Sequence, residues 1–171
     1  YNLIGRKIYM KKLKGFTAII SGLAAAVVIS ILALLNEMSG VGIWIIFSFG
    51  ATVLIIFVAP DVDAAQPKNI FFGHLISIVV GIAFNEILGF SFLSLGLAVG
   101  FAVTLMVYLN VTHPPAASNP LVAIFSDVSF DYVLFPVIMG SVVIIFLAIL
   151  INRFILKKNY PKKFLFFKKF F

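Results

Sequence analysis

Asn110-Val111-Thr112-His113-Pro114-Pro115-Ala116-Ala117-Ser118-Asn119-Pro120-Leu121-Val122-Ala123-Ile124-Phe125 is the stretch whose reading decides the fold. It lies between two long apolar segments, yet it carries a histidine, three prolines and a run of small polar residues. The paired prolines forbid a helix running through from the preceding segment, because each lacks an N–H donor and holds the residue before it extended. A proline suits the first turn of a new helix. A second helix is therefore expected to begin near Pro115 to Ala117, with Ser118 and Asn119 in its first turn.

Outward from this break the chain is apolar. Its 171 residues are 63% hydrophobic and 11% charged, with a mean hydropathy of +1.18, more than a soluble core absorbs. The expectation is an all-α, polytopic transmembrane helix bundle, with the lipid bilayer as first partner. Spanning segments are expected at Phe16 to Leu35, Val41 to Ala59, Pro67 to Leu88, Phe92 to Leu109 and Tyr132 to Ile151, each near the length that crosses about 30 Å of hydrocarbon. The basic residues before Phe16 and the long apolar run after it read as a retained first span rather than a signal peptide.

The net charge of +7 is informative by position. Arg6, Lys7, Lys11, Lys12 and Lys14 precede the first span, Arg153 and six lysines follow the last, and only Lys68 lies between. Basic tails of this kind follow the positive-inside bias, so both ends are expected on the cytoplasmic side, touching anionic lipid headgroups. Nucleic acid is not expected as a partner, since it calls for a basic patch on a folded domain. With both tails inside, the number of crossings must be even.

An internal repeat narrows the count to two arrangements. Gly15 to Asn36 aligns with Gly89 to Asn110, matching Gly22 with Gly96 and Asn36 with Asn110. Gly50-Ala51-Thr52-Val53-Leu54 falls on Ala117-Ser118-Asn119-Pro120-Leu121, and Gly73 falls on Gly140. Such repeats are a recurrent construction of transporters. The chain divides into a basic segment 1–14, a first transmembrane repeat 15–88, a second 89–152, and a basic tail 153–171. Each repeat reads helix, broken segment, helix. Six crossings with the two halves inverted are preferred; four spans with two re-entrant segments are the alternative. Gly22/Ala26, Gly96/Gly100 and Gly73/Ser77/Gly81 recur every four residues and are expected to let helices approach closely.

A helix that starts within a membrane leaves N–H groups and a positive dipole end in need of a partner, and suits a small anion. The candidate site is accordingly His113, Pro114, Pro115, Ala117, Ser118 and Asn119 in the second half, with Gly50, Ala51 and Thr52 in the first. Packing of the breaks against neighbouring Ser, Thr and Asn side chains is the competing structural explanation. His113 is open to three roles: donor to an anion, proton carrier, or cap of the preceding helix. His74 is expected at the membrane interface in a local structural role. Two separated histidines fall short of a metal ligand set, and no nucleophile motif or buried acid pair is present. No enzymatic activity, catalytic residue, metal or cofactor is expected. The chain contains no cysteine.

Ser48-Phe49-Gly50-Ala51-Thr52-Val53-Leu54, Asp63-Ala64-Ala65-Gln66-Pro67-Lys68-Asn69 with Gly73-His74, and Thr112-His113-Pro114-Pro115-Ala116-Ala117 resemble the HPP family of integral membrane proteins, named for its His-Pro-Pro motif. The resemblance covers Thr17 to Asn152. It implies a membrane fold, usually described with four spans, and plant chloroplast members are described as nitrite transporters. Where the family reads more like Ala-Gly-Ala-Thr after the motif, this chain has Ala117, Ser118, Asn119 and Pro120 after Ala116, a departure that falls on the candidate site. The expected function is a transporter or channel for a small inorganic anion, nitrite first, in a bacterial inner membrane. The alternatives are a transporter of a neutral or cationic solute, and a scaffold or partner-binding subunit. A second copy of the chain is a further candidate partner.

Overall fold

The computed structural model describes residues 16–39 and 44–162; the basic tail residues outside these bounds, and residues 40–43, lie beyond them. The regular structure of the described chain is all helical: α1 (Phe16–Ser39), α2 (Ser48–Val58), a 3₁₀ turn at Asp63–Ala65, α3 (Pro67–Leu88), α4 (Phe92–Tyr108), a 3₁₀ turn at Pro114–Ser118, α5 (Asn119–Phe125) and α6 (Met139–Leu150). π-helical turns at Val133–Ile138 and Ile151–Ile155 flank α6. Three stretches are long and apolar enough to span a bilayer, Ala18–Met38, Pro67–Leu88 and Val133–Ile155. The last is kinked at Phe135, which is extended (φ −123°, ψ 122°) because Pro136 follows it.

The contacts between elements fix their directions. Ser21 near the start of α1 bonds Phe57 O near the end of α2, and Asn36 near the end of α1 accepts from Trp44 N just before α2. Residues 44–58 therefore run back alongside α1. The stretch that opens this account runs parallel to α3: Asn69 pairs with Thr112 O, Ser77 with Ala116 O, Gly81 packs on Pro120, and Asn85 pairs with Asp127. α4 runs the other way, with Ser94 against Phe84 O and Met106 beside Gly73. After the last helix, Lys158 reaches Phe57 O and Tyr160 reaches Ala65 O. The chain thus traverses the bundle six times, and both described termini lie at one end, here called the terminal end.

Each broken segment runs the length of the bundle rather than turning back on itself, the path that the six-crossing arrangement requires. The extended residues 111–113 and the 3₁₀ turn carry the chain as far as a longer helix would, since both rise more steeply per residue than an α-helix. The two halves also make matching contacts. A Cβ on Gly73 would lie 2.7 Å from His113 Cβ and 3.3 Å from Val111 O, while one on Gly140 would meet Phe49 and lie 3.0 Å from Trp44 O. An offset of 67 residues relates Gly73 to Gly140 and Trp44 to Val111. The long helix of each half packs on the start of the other half's broken segment.

Two expectations need correction. Of the second span, expected from Val41, residues 41–43 lie outside the described chain and residues 44–47 are not helical; the helix begins at Ser48, entered through a tight turn in which Phe49 N bonds Ile46 O. Of the small-residue stripes, the one on α3 does receive a neighbour, but Gly22, Gly96 and Gly100 have nothing within 4 Å of a built Cβ and so serve no close packing within the described chain. The outer surface carries large apolar side chains, among them Phe92, Phe101, Val107 and Phe146, while Ser, Thr, His and Asn side chains are buried inside. An apolar outer surface around a core that is apolar but also encloses these polar groups is what a lipid surround selects.

Candidate functional site

Where α2 meets the start of α5, five polar side chains close on one another. Ser48 and Thr52 come from α2, one turn apart on its inner face. His74 comes from the second turn of α3, His113 from the extended residue before the prolines, and Asn119 from the first position of α5. Four of them have no exposed surface, and Ser48 retains 3%.

The bonds link all five side chains. Ser48 Oγ donates to Asn119 Oδ1 at 2.8 Å. Asn119 Nδ2 lies 3.0 Å from His74 Nδ1 and donates to His74 O at 3.3 Å. Thr52 Oγ1 lies 2.9 Å from His74 Nε2 and 3.0 Å from His113 Nε2. His113 Nδ1 lies 2.7 Å from Ala64 O. The two imidazole centroids are 4.9 Å apart, and Phe49 closes an edge-on contact with His74 at 5.2 Å.

Two groups that only accept fix the proton positions along this path. The Ala64 carbonyl requires N–H at Nδ1 of His113, leaving Nε2 to accept. The His74 carbonyl requires the amide nitrogen of Asn119 to face it, so the same NH₂ donates to Nδ1 of His74 and the His74 proton sits on Nε2. Thr52 then accepts from His74 and donates to His113. One proton on each ring satisfies every ring nitrogen, which places opposite tautomers on the two histidines.

Of the residues expected at the site, His113, Asn119 and Thr52 converge. Ser118 instead donates to Pro115 O at 2.9 Å, while Gly50, Ala51 and Pro114 are exposed and Pro115 and Ala117 half-buried at the edge. The N–H groups expected to be free are used or absent: Gly50 N bonds Phe47 O and Ala116 N bonds His113 O, and Pro114, Pro115 and Pro120 have none. The polar side chains, not the helix ends, form the site. His74 is not at the interface as expected; it stands at the centre, about 10 Å of helix rise beyond Pro67. Ser48 was also absent from the expected set, although its spacing of four from Thr52 puts both on one helix face.

Towards the far end, an open recess of about 870 Å³ lies between the two broken segments, lined by Ile46, Val122, Asp127, Asp131 and Tyr132 among others. Val122 and Ile46 are within one helical turn of Asn119 and Ser48. Towards the terminal end the site is covered by residues 59–66. That loop is held by Gln66 Nε2 to Pro60 O at 2.8 Å, by Tyr160 Oη to Ala65 O at 2.8 Å, and by the Lys162–Asp61 ion pair at 2.9 Å. No group of metal ligands is assembled among the described residues.

An all-helical bundle with an apolar outer surface and three stretches long enough to span a bilayer marks the chain as an integral membrane protein. It belongs to the HPP family: residues 10–161 match the family's transmembrane region. Two Dictyostelium discoideum proteins, each described as a transmembrane protein, are similar to it. One is 30% identical over 125 residues, covering 68% of this chain and 44% of the relative; the other is 32% identical over 152 residues, covering 82% and 49%. The chain spans about half the length of these relatives. No solved structure matches it.

Proposed function

We propose that the protein is a transporter or channel for a small inorganic anion, with nitrite the first candidate, built from two inverted repeats whose broken segments meet at the solute site. The observation that carries this reading is the cluster itself. Ser48, Thr52, Asn119, His74 and His113 bring hydroxyl, amide and imidazole donors to one buried point where the two broken segments cross. The cluster contains no carboxylate, and such a set can exchange its internal bonds for bonds to an anion. Inverted repeats with interrupted helices at the solute site are a common transporter design. The recess supports entry from the far end, and the strapped loop 59–66 supports closure at the terminal end.

The charge distribution supports an orientation with the terminal end, which carries Lys68, Arg153, Lys157, Lys158 and Lys162, on the cytoplasmic side. The anionic lipid headgroups proposed as partners of the basic tails belong to the same reading.

A second reading has its own observation. Asp127 and Asp131 line the recess and Glu37 and Glu86 lie at the same end, a field that repels anions and favours a cationic or neutral solute. Flux into proteoliposomes decides between them. Uptake of nitrite, tested beside nitrate, formate and chloride and weakened by Asn119→Ala, supports the anion reading. Flux of ammonium or urea without anion flux replaces it with the second. A folded preparation passing neither leaves the chain as a scaffold or partner-binding subunit.

A further inference from the structure

We propose that the His74–Thr52–His113 unit is a binding site for a single proton, taken up at Nε2 of His113, with the Thr52 hydroxyl as the element that makes room for it. Thr52 Oγ1 has a third neighbour besides the two imidazoles: the carbonyl of Ser48, one turn back on α2, at 3.0 Å. When His113 Nε2 is unprotonated, the Thr52 hydrogen points to it. When a proton arrives there, the hydroxyl turns to Ser48 O, and Thr52 accepts from both Nε2–H groups through its two lone pairs. The proton bonds to Nε2, no covalent bond breaks, and no buried polar atom loses its partner.

The same accounting rules out His74. Its Nδ1 faces the Asn119 amide nitrogen at 3.0 Å, which cannot turn away because the His74 carbonyl and the Ser48 hydroxyl fix its two ends. A proton on that nitrogen would set two donors against each other, leaving a buried group unsatisfied. The two rings are therefore unequal by construction. Around His113, α3 offers His74 as the facing titratable group, α2 offers uncharged Thr52, the turn 63–65 offers the Ala64 carbonyl with Asp63 beside it in sequence, and α4 offers Met106 near Gly73.

A proton here gives the uncharged cluster a single positive charge, the complement of one small anion. Proton and anion entering together would cross as a neutral pair. That coupling rests on the transport reading; the proton site does not.

The chain has two histidines, so nitrogen-15 NMR of histidine-labelled full chain in lipid nanodiscs reads both sites directly, with His74→Gln used to assign the signals. The expected result is opposite tautomers, Nε2–H at His74 and Nδ1–H at His113. On acidification a second proton should appear at His113 while His74 keeps one. Thr52→Val should remove the doubly protonated His113 signal from the pH range where the unaltered chain shows it, and Thr52→Ser should restore it. Identical tautomers, simultaneous charging of both rings, or charging of His74 first would overturn the proposal. So would an unchanged His113 titration in Thr52→Val, and if that variant does not fold, the tautomers of the unaltered chain decide. Absence of anion flux with the expected spectra removes the transport reading alone, and anion flux without His113 titration removes the proton site alone.

Discussion

Ser48 Oγ donates to Asn119 Oδ1 at 2.8 Å, tying together two broken crossings that come from opposite halves of the chain. Asn119 is the central member of the cluster, since its amide also serves His74 through both Nδ1 and the carbonyl. Asn119→Ala would strand the Ser48 hydroxyl and the His74 Nδ1 in a dry interior, at about 1–3 kcal/mol. Thermal unfolding of the purified protein should fall, and solute affinity should drop roughly tenfold or more. Unaltered unfolding and flux would mean that the cluster holds neither the fold nor the solute.

Gly73 and Gly81 let α3 lie against the second broken segment. A Cβ on Gly81 would sit 2.5 Å from Pro120 Cα, so the methyl group of Gly81→Ala meets backbone that cannot step aside. Overpacking of this kind costs about 1–3 kcal/mol, and both Gly73→Ala and Gly81→Ala should lower the unfolding temperature. Gly96→Ala should not, because nothing lies within 4 Å of that position and alanine favours helix by about 1 kcal/mol. Equal effects at all three positions would contradict the packing described.

Side-specific labelling tests the passage of the chain through the bilayer. Val62 is in the exposed loop at the terminal end, 42% accessible, and Ser129 is exposed at the far end. The chain has no cysteine of its own. Cysteines placed singly at 62 and 129 should react with an impermeant maleimide from opposite sides of oriented vesicles, 129 from outside. Labelling of both from the same side would reject six crossings.

The strap over loop 59–66 should respond to alkali. Burial pushes the Tyr160 phenol above its ordinary value of about 10, while its hydroxyl donates to Ala65 O. The neutral phenol is thus favoured in the docked state, and its contribution is complete below pH about 10. Above that the undocked phenol ionises first, so docking weakens as pH rises. Hydrogen exchange of the amides of 59–66 should accelerate above pH about 10 beyond its intrinsic rise. Tyr160→Phe should show faster exchange already at neutral pH and no further alkaline step.

Much of the fold was legible because lipid imposes a simple code: long apolar runs, charge confined to the ends, and prolines where a helix must stop. The break after Asn110 follows from Pro114 and Pro115, whose geometry is local, whereas the kink at Phe135 lies inside the span expected from Tyr132 to Ile151. Thr52, His113 and Asn119 were legible as candidates because polar groups among apolar neighbours stand out. His74 is not legible as a site residue, because a place near the start of a helix suggests nearness to water, whereas residues 59–66 and the strap from Lys158 to Lys162 cover that end.

By itself, then, the sequence determined a helical membrane bundle and the proline-marked break that interrupts it after Asn110. Tertiary structure alone decided that the two broken segments run the length of the bundle, that each packs on the other half's long helix, and that the polar site is made of side chains rather than free helix ends. The reason is physical. Helix breaks and hydrophobic runs depend on neighbours along the chain, whereas a hydrogen bond such as Thr52 to His113 depends on where two distant helices come to rest.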